Sequence, residues 1–130
     1  MNKFKGHITE ILGDESILLI KVKINSETLS TLTISSTSSP LSIGQEIQIV
    51  FKETEVFMGN ELLTDQISIQ NQLHGTITKI AWGTVLCRVL LETNIGSISS
   101  VITTQSAQRL QLQVGGNAVA FIKTNEIILE

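Results

Sequence analysis

Residues 2–11 read NKFKGHITEI, and residues 71–80 read NQLHGTITKI. The two stretches share an asparagine at the start, a glycine in the middle and the spacing Ile-Thr-x-Ile at the end. A second pair repeats in the same order, with LSIGQEIQIVFKETEV beginning at Leu41 and LQVGGNAVAFIKTNEI at Leu112. Self-similarity of this kind is the signature of a duplicated structural unit. We therefore predict two tandem domains, residues 1–66 and residues 67–130.

Both copies alternate apolar and polar residues with a period of two, which is typical of half-buried β-strands. The positions predicted to face the core are Leu18, Ile20, Val22 and Ile24, then Ile47, Ile49 and Phe51, and in the second copy Ala118, Ala120 and Ile122. Opening strands are predicted at residues 3–12 and 72–81. The segment TQSAQRLQL after Thr103 is the only plausible helix, and Ser106 is able to cap its first turn.

A unit of about 65 residues with four to five strands closes most economically into a small barrel of the OB type, because an open sheet of that size exposes its edges. The predicted fold class is therefore all-β, with two tandem OB-like barrels that each carry one short helical turn. Residues 58–70 alternate as well and could pair as a further strand. So small a unit is marginal alone, and we expect the two copies, and several chains, to pack together.

The composition argues against nucleic-acid and membrane partners. The formal net charge is -3 and aromatic residues make up 4% of the chain, whereas an OB protein that binds nucleic acid needs clustered cations and aromatic residues on one face. Trp82, at a turn, is predicted to be a core or interface plug. The longest aliphatic run, residues 17–20, is too short to span a bilayer, and the first residues lack a signal-peptide core. We expect a cytoplasmic protein.

No residue pattern indicates catalysis or a metal centre. Cys87 lies within VLCRVL, which is typical of a buried strand, and a single cysteine forms no internal disulfide. His7 follows a glycine whereas His74 precedes one, so the histidines are not equivalent, and neither has a partner at metal-ligand spacing. We therefore predict no enzyme activity, no catalytic residue, no bound metal ion and no organic cofactor.

Hydroxyl side chains recur near the turn that follows the third strand of each copy. They are Thr33 and Ser36 in the first copy and Thr103 and Ser106 in the second, and Lys52 and Lys123 lie on the strand that follows. Hydroxyl, backbone N–H and ammonium groups are all donors, which suits a dianion without a proton, such as molybdate, tungstate or sulfate. Phosphate retains a proton that needs an acceptor. The spacing alone favours a plainer interpretation, a helix cap with solvated lysines.

Three strings of the second copy closely resemble the molybdenum-binding mop domain of the molbindins. They are SIQNQLHGTITKI from Ser68, ITTQSAQRLQLQVGG from Ile102 and AFIKTNEI from Ala120. The same module forms the C-terminal region of the molybdate-responsive transcription factor and the TOBE appendages of transport ATPases. Because the resemblance covers essentially the whole chain as two copies, the sequence is identified as a di-mop molbindin.

This resemblance implies an OB-like barrel for each copy and oxyanions held at interfaces between mop units. Thr103 and Ser106 would come from one unit, and Lys123 and the backbone of Thr124 from a neighbour. Ser68 stands where the family often has the serine of S-A-R-N-Q.

The sequence departs from the family pattern at two positions. Gln70 replaces the family's arginine, which leaves one fewer fixed charge. In the first copy Thr33, Ser36 and Lys52 match the pattern, but Glu53 follows the lysine where the family prefers a small residue. The first-copy sites are therefore expected to be the weaker ones.

The function implied by the resemblance is intracellular binding of molybdate or tungstate at sites between subunits, for storage, buffering or homeostasis. A homo-oligomer is expected, with a trimer favoured and a dimer as the alternative. Two other functions remain open: an oxyanion-sensing regulatory module that acts through a partner protein, and an OB-type nucleic-acid-binding protein.

Overall fold

The computed structural model describes residues 1–34 and 40–130. Within these ranges the chain forms ten β-strands and one short helix, which confirms the all-β prediction. The first half contains β1 (Asn2–Gly13), β2 (Ile17–Ile24), β3 (Glu27–Ile34), β4 (Glu46–Phe51) and β5 (Phe57–Gly59). The second half contains β6 (Asn71–Trp82), β7 (Leu86–Thr93), β8 (Gly96–Thr103), α1 (Thr104–Arg109), β9 (Asn117–Ile122) and β10 (Ile128–Leu129).

The strands form two antiparallel sheets, and each sheet takes one strand from the other half of the chain. The first sheet has the order β10-β4-β1-β2-β3 and the second has the order β5-β9-β6-β7-β8. Phe57 of β5 pairs with Phe121 of β9, and Ile128 of β10 pairs with Val50 of β4. The alternation in residues 58–70 therefore yields only the short β5, followed by a 3-10 turn at Glu61–Leu63. The domain division between residues 66 and 67 stays a prediction.

Two buried asparagines connect the halves through matching pairs of hydrogen bonds. The Asn71 side chain accepts the N–H of Ser30 at 2.7 Å and donates to the Ser30 carbonyl at 2.8 Å. The Asn2 side chain does the same with Ser99, at 2.8 and 2.9 Å. Each asparagine thus supplies both partners that a buried peptide group requires. This gives a structural reason for the asparagine that opens both copies of the repeat.

The core is shared by the two halves. One cluster of buried side chains contains Ile8, Ile20 and Ile49 of the first half together with Ile77, Val89 and Ile122 of the second. The predicted inward residues of β4 and β9 are buried, but Val50, Val119 and Phe121 on the lysine side are buried too. That part of the alternation is wrong because Val119 and Phe121 form a second cluster with Ile69 from the connection between the halves.

Two pairs of equivalent glycines in the repeat are required for different physical reasons. A Cβ at Gly6 or Gly75 would overlap the carbonyl oxygen of the strand alongside, so these positions require close backbone approach. Gly44 and Gly115 have open space around them but φ values of +89° and +87°, which side chains rarely adopt.

Cys87 and Trp82 pair directly with each other in the β6–β7 ladder but differ in burial. Cys87 is buried as predicted, and burial raises the pKa of its thiol. Trp82 is 51% exposed, so it is not a core residue of the chain. Along the described ranges, no helix has the length and hydropathy required to cross a bilayer.

Candidate functional site

Thr103 and Ser106 meet at the junction of β8 and α1. The Thr103 hydroxyl accepts the N–H of Ser106 at 3.0 Å, and the two side-chain oxygens lie 2.9 Å apart. The helix cap is thus present, but Thr103 rather than Ser106 provides it. Because the pair has two hydroxyl protons and its mutual hydrogen bond uses one, the other remains available to a ligand.

This hydroxyl pair lines an open cavity of about 560 Å³ between β5, β8 and α1. Much of the remaining lining is apolar and comprises Val56, Phe57, Met58, Leu63, Ile102 and Leu110. Arg109 also lines the cavity and carries the cation nearest in sequence to the pair. The sequence interpretation missed Arg109, although its spacing of three from Ser106 places both residues on one helix face.

The other residues implied for the second copy line a separate, small cavity. Ser68, Lys123 and Thr124 surround a space of about 100 Å³ together with Ile69 and Gln70. Drug-sized ligands need cavities of about 300–1,000 Å³, so this space suits only a small ion or a part of a larger site. The structure therefore brings these three residues together, and in one chain it keeps them apart from the cavity of the hydroxyl pair.

Gln70 does not replace the missing arginine as a cation, and its amide has a structural partner. The Gln70 Nε2 atom donates to the Oγ of buried Ser30 at 3.2 Å. The positive charge at this small cavity comes from the exposed Lys123, which begins the 3-10 turn Thr124–Glu126 without a side-chain cap.

The lysine of the first copy has a different neighbour. Lys52 begins the 3-10 turn Glu53–Glu55, and the Glu53 carboxylate lies 3.1 Å from Nη2 of Arg88. The amino group of Met1 lies 3.6 Å from the same carboxylate. Sequence reasoning did not find Arg88, because its partner belongs to the other half of the chain.

The strand ladders correct the match between Thr33 and Thr103. In β7–β8, Leu86 pairs with Thr103, and at the same position of β2–β3, Ile17 pairs with Ile34. Ile34 thus takes the place of Thr103 and is 81% exposed. Thr33 lies one residue earlier, and successive side chains of a strand point to opposite faces. The other predicted hydroxyl residue of this copy, Ser36, lies outside the described residues.

In the ranges that the structure covers, no group of three or more His, Cys, Asp or Glu side chains is arranged to bind a metal ion. His74 lies 3.5 Å from Glu61 in an exposed pair.

The chain is similar to proteins named for molybdenum transport and molybdate binding. The TOBE domain family matches residues 67–129. The molybdenum transport protein ModE of Azotobacter vinelandii is 30% identical over 132 aligned positions, covering 98% of this chain and 48% of that protein. ModE of Herbaspirillum seropedicae is 36% identical over 63 positions, covering 48% of this chain and 23% of that protein. The chain thus spans at most about half the length of these curated relatives.

A solved structure agrees with the fold along nearly the whole chain. The cytoplasmic molybdate-binding protein ModG, determined with molybdate bound, superposes with a TM-score of 0.91 and 27% sequence identity. The match covers 98% of this chain and 94% of ModG. The prediction of two tandem OB-like units of the mop type is thereby confirmed.

Proposed function

We propose that this chain binds molybdate, in the manner of the molbindins, at sites formed between subunits. The TOBE domain match in its second half and the fold that it shares with molybdate-binding ModG support this proposal. The observation that carries the proposal is the small cavity lined by Ser68, Lys123 and Thr124. Among the described residues that line it, two carry hydroxyl groups, one carries an ammonium group and none carries a carboxylate. Burying a dianion costs much free energy unless donors and cations surround it.

The separation of the two half-sites favours an arrangement between chains. Thr103 and Ser106 line one cavity of the chain, and Lys123 and Thr124 line another. A second subunit could place its Thr103–Ser106 pair beside Lys123. The hydroxyl proton that this pair does not use in its own hydrogen bond would then be a further donor to the oxyanion. Oxyanion binding and assembly would then be linked, because a ligand that binds only the assembled form stabilises it by mass action.

Exposed apolar side chains lie beside the hydroxyl pair and support such a contact. Leu86, the ladder partner of Thr103, is 53% exposed, and neighbouring Val85 is 71% exposed. Trp82 lies close by on the ladder, pairing with Cys87. Apolar surface of this kind favours association. We favour a homotrimer, and a dimer is the alternative.

The ammonium group of Lys123 can only donate hydrogen bonds, so the site should favour oxyanions that carry no proton. Molybdate and tungstate carry no proton at neutral pH, so each of their oxygens accepts hydrogen bonds, whereas phosphate retains a proton that Lys123 cannot accept. Tungstate is therefore the second proposed ligand. The proposed activity is binding rather than catalysis. The ammonium group of Lys123 would hold the oxyanion, and the oxyanion would remain chemically unchanged.

Calorimetric titration of the purified chain with molybdate, tungstate, sulfate and phosphate tests the proposal. We expect heat with molybdate and tungstate and little with phosphate. Absence of heat with the first two anions would refute the proposed function.

Storage or buffering in the cytoplasm is the role we favour, by analogy with cytoplasmic ModG. The match with ModE, of which this chain covers 48%, favours a second candidate, a sensing module that acts through a partner protein. Small-angle X-ray scattering of the assembled protein with and without molybdate separates the two roles. A buffer should keep the shape of its assembled form when it fills, whereas a sensor should change that shape on binding.

A further inference from the structure

The ends of β4 and β9 have the same backbone but different side chains. Each strand is followed by a lysine that begins a 3-10 turn, Lys52 with φ -76° and ψ 146°, and Lys123 with φ -64° and ψ 144°. The next residue is Glu53 in the first half and Thr124 in the second. The two turns therefore share a backbone, and one of them carries a carboxylate beside its lysine.

The Glu53 carboxylate is held in a defined position. Its Oε1 atom lies 3.1 Å from Nη2 of Arg88, and the side chain is only 23% exposed. Arg88 in turn donates from Nε to the Oγ of Ser99 at 2.8 Å. Ser99 is fixed by the two hydrogen bonds that it shares with the Asn2 side chain, one donated by Asn2 and one by the Ser99 N–H. An Arg–carboxylate hydrogen bond between ions is among the stronger polar contacts in proteins.

Neither member of this ion pair has a charged equivalent beside Lys123. Arg88 pairs with Val101 in the β7–β8 ladder, and the same ladder position of β2–β3 holds Leu19, which pairs with Leu32. Thr124 replaces Glu53. The equivalent cavity near Lys123 is thus open to a ligand, while the position near Lys52 already contains an anion and its cation.

We infer that the Glu53 carboxylate is a built-in anion that closes the first-copy oxyanion site, and that Arg88 is a latent anion-binding residue of that site. The inference rests on the proposed function. A tethered group competes at an effective concentration on the order of millimolar, far above a scarce oxyanion. The carboxylate also repels an incoming dianion at short range. Only the second-copy position therefore binds molybdate in the wild-type chain.

Calorimetric titration of the full chain with sodium molybdate tests this inference in the variant E53T, which introduces the residue type of Thr124. We expect the molybdate bound per chain to rise about twofold, because Lys52 and Arg88 then act on the ligand without a competing carboxylate. The matched control E55T removes the same charge from the same turn but keeps the ion pair, and should bind as the wild type does. E53Q serves as a second charge-removing variant should E53T unfold.

The role of Arg88 is tested by E53T combined with R88L, which introduces the residue type of Leu19. This double variant should return to the wild-type stoichiometry. An unchanged stoichiometry in both E53T and E53Q, an equal gain in E55T, or a gain that survives R88L would overturn the inference. Wild-type chain that binds no molybdate while E53T binds it would refute the proposed function of the second copy and leave this inference standing. Wild-type chain that binds while E53T adds nothing would do the reverse.

Discussion

At the scale of single residues, the neighbour of each lysine decides which anion the lysine contacts. Lys123 is followed by a threonine and lines a small cavity with Ser68, and none of the described residues that line this cavity carries a carboxylate. Lys52 is followed by Glu53, whose charge is balanced across the chain by Arg88. Two copies that share a backbone therefore differ in electrostatics because of one side chain after the strand.

Replacing the two lysines by alanine should show this difference. K123A removes the charged donor of the open cavity and should weaken molybdate binding by about 1.5–3 kcal/mol, which corresponds to about 10–150-fold in Kd. K52A should leave the affinity close to that of the wild type. Calorimetry on both variants measures the ordering, and equal losses or a larger loss in K52A would contradict it.

At the scale of elements, β3 and β8 are held by the ladders of their own sheets and also by asparagine side chains from the opposite half of the chain. The Asn71 side chain, 2% exposed, satisfies both the N–H and the carbonyl of Ser30. The hydroxyl of Thr31, the next residue, donates to the carbonyl of Ile127 at 2.6 Å, just before β10. The Ser100 hydroxyl does the same to the carbonyl of Val56, just before β5. The exchanged strands are thus held by both hydrogen-bond ladders and side chains.

The variant N71A should destabilise the fold, because it leaves two buried groups of Ser30 without partners, each at a cost of about 1–3 kcal/mol. Denaturant unfolding followed by circular dichroism measures the loss. N117A, at an exposed position at the start of β9, is the matched control and should change the free energy of unfolding by less than about 0.5 kcal/mol. An N71A variant as stable as N117A would show that the asparagine bonds contribute nothing.

The sequence predicts the long strands well and the short ones poorly. Residues 3–12 and 72–81 lie within one residue of the observed ends of β1 and β6 at both ends, because their patterns extend over many residues. The exchange of β5 and β10 could not be foreseen, since strands of three and two residues carry too little alternation.

The candidate site could likewise be predicted only in part. Lys123, Thr124 and Ser68 share a cavity as a motif-based interpretation expects. The match of Thr33 with Thr103 differs by one residue from the strand register, in which Ile34 takes the position of Thr103. The Glu53–Arg88 pair depends on contact between the halves, which no local pattern encodes.

At the scale of the whole molecule, the two halves complete each other. The second sheet includes β5 of the first half, and the first sheet includes β10 of the second. The core cluster also crosses between the halves. Each half by itself would thus leave one sheet a strand short and expose a row of unpaired backbone groups.

A chain consisting of residues 67–130 should therefore not remain a stable monomer. In this fragment β10 follows β9 in sequence, just as β5 follows β4 in the first half. Two such fragments can therefore exchange β10, so that the β10 of each takes the place of β5 beside the β9 of the other. We expect a dimer or a larger assembly in analytical ultracentrifugation, and a one-to-one complex after mixing with residues 1–66. A folded, monomeric fragment would contradict the dependence on exchanged strands.

The pairing of β10 with β4 also sets an order of events during synthesis. β4 ends at Phe51, but the strand that covers its outer edge begins at Ile128. At a translation rate of roughly 5–20 residues per second, that edge waits several seconds for its partner while the second half emerges from the ribosome. During this interval a neighbouring nascent chain could pair with the edge instead. The rate at which the ribosome passes through the second half thus determines how long each new molecule remains open to the wrong partner.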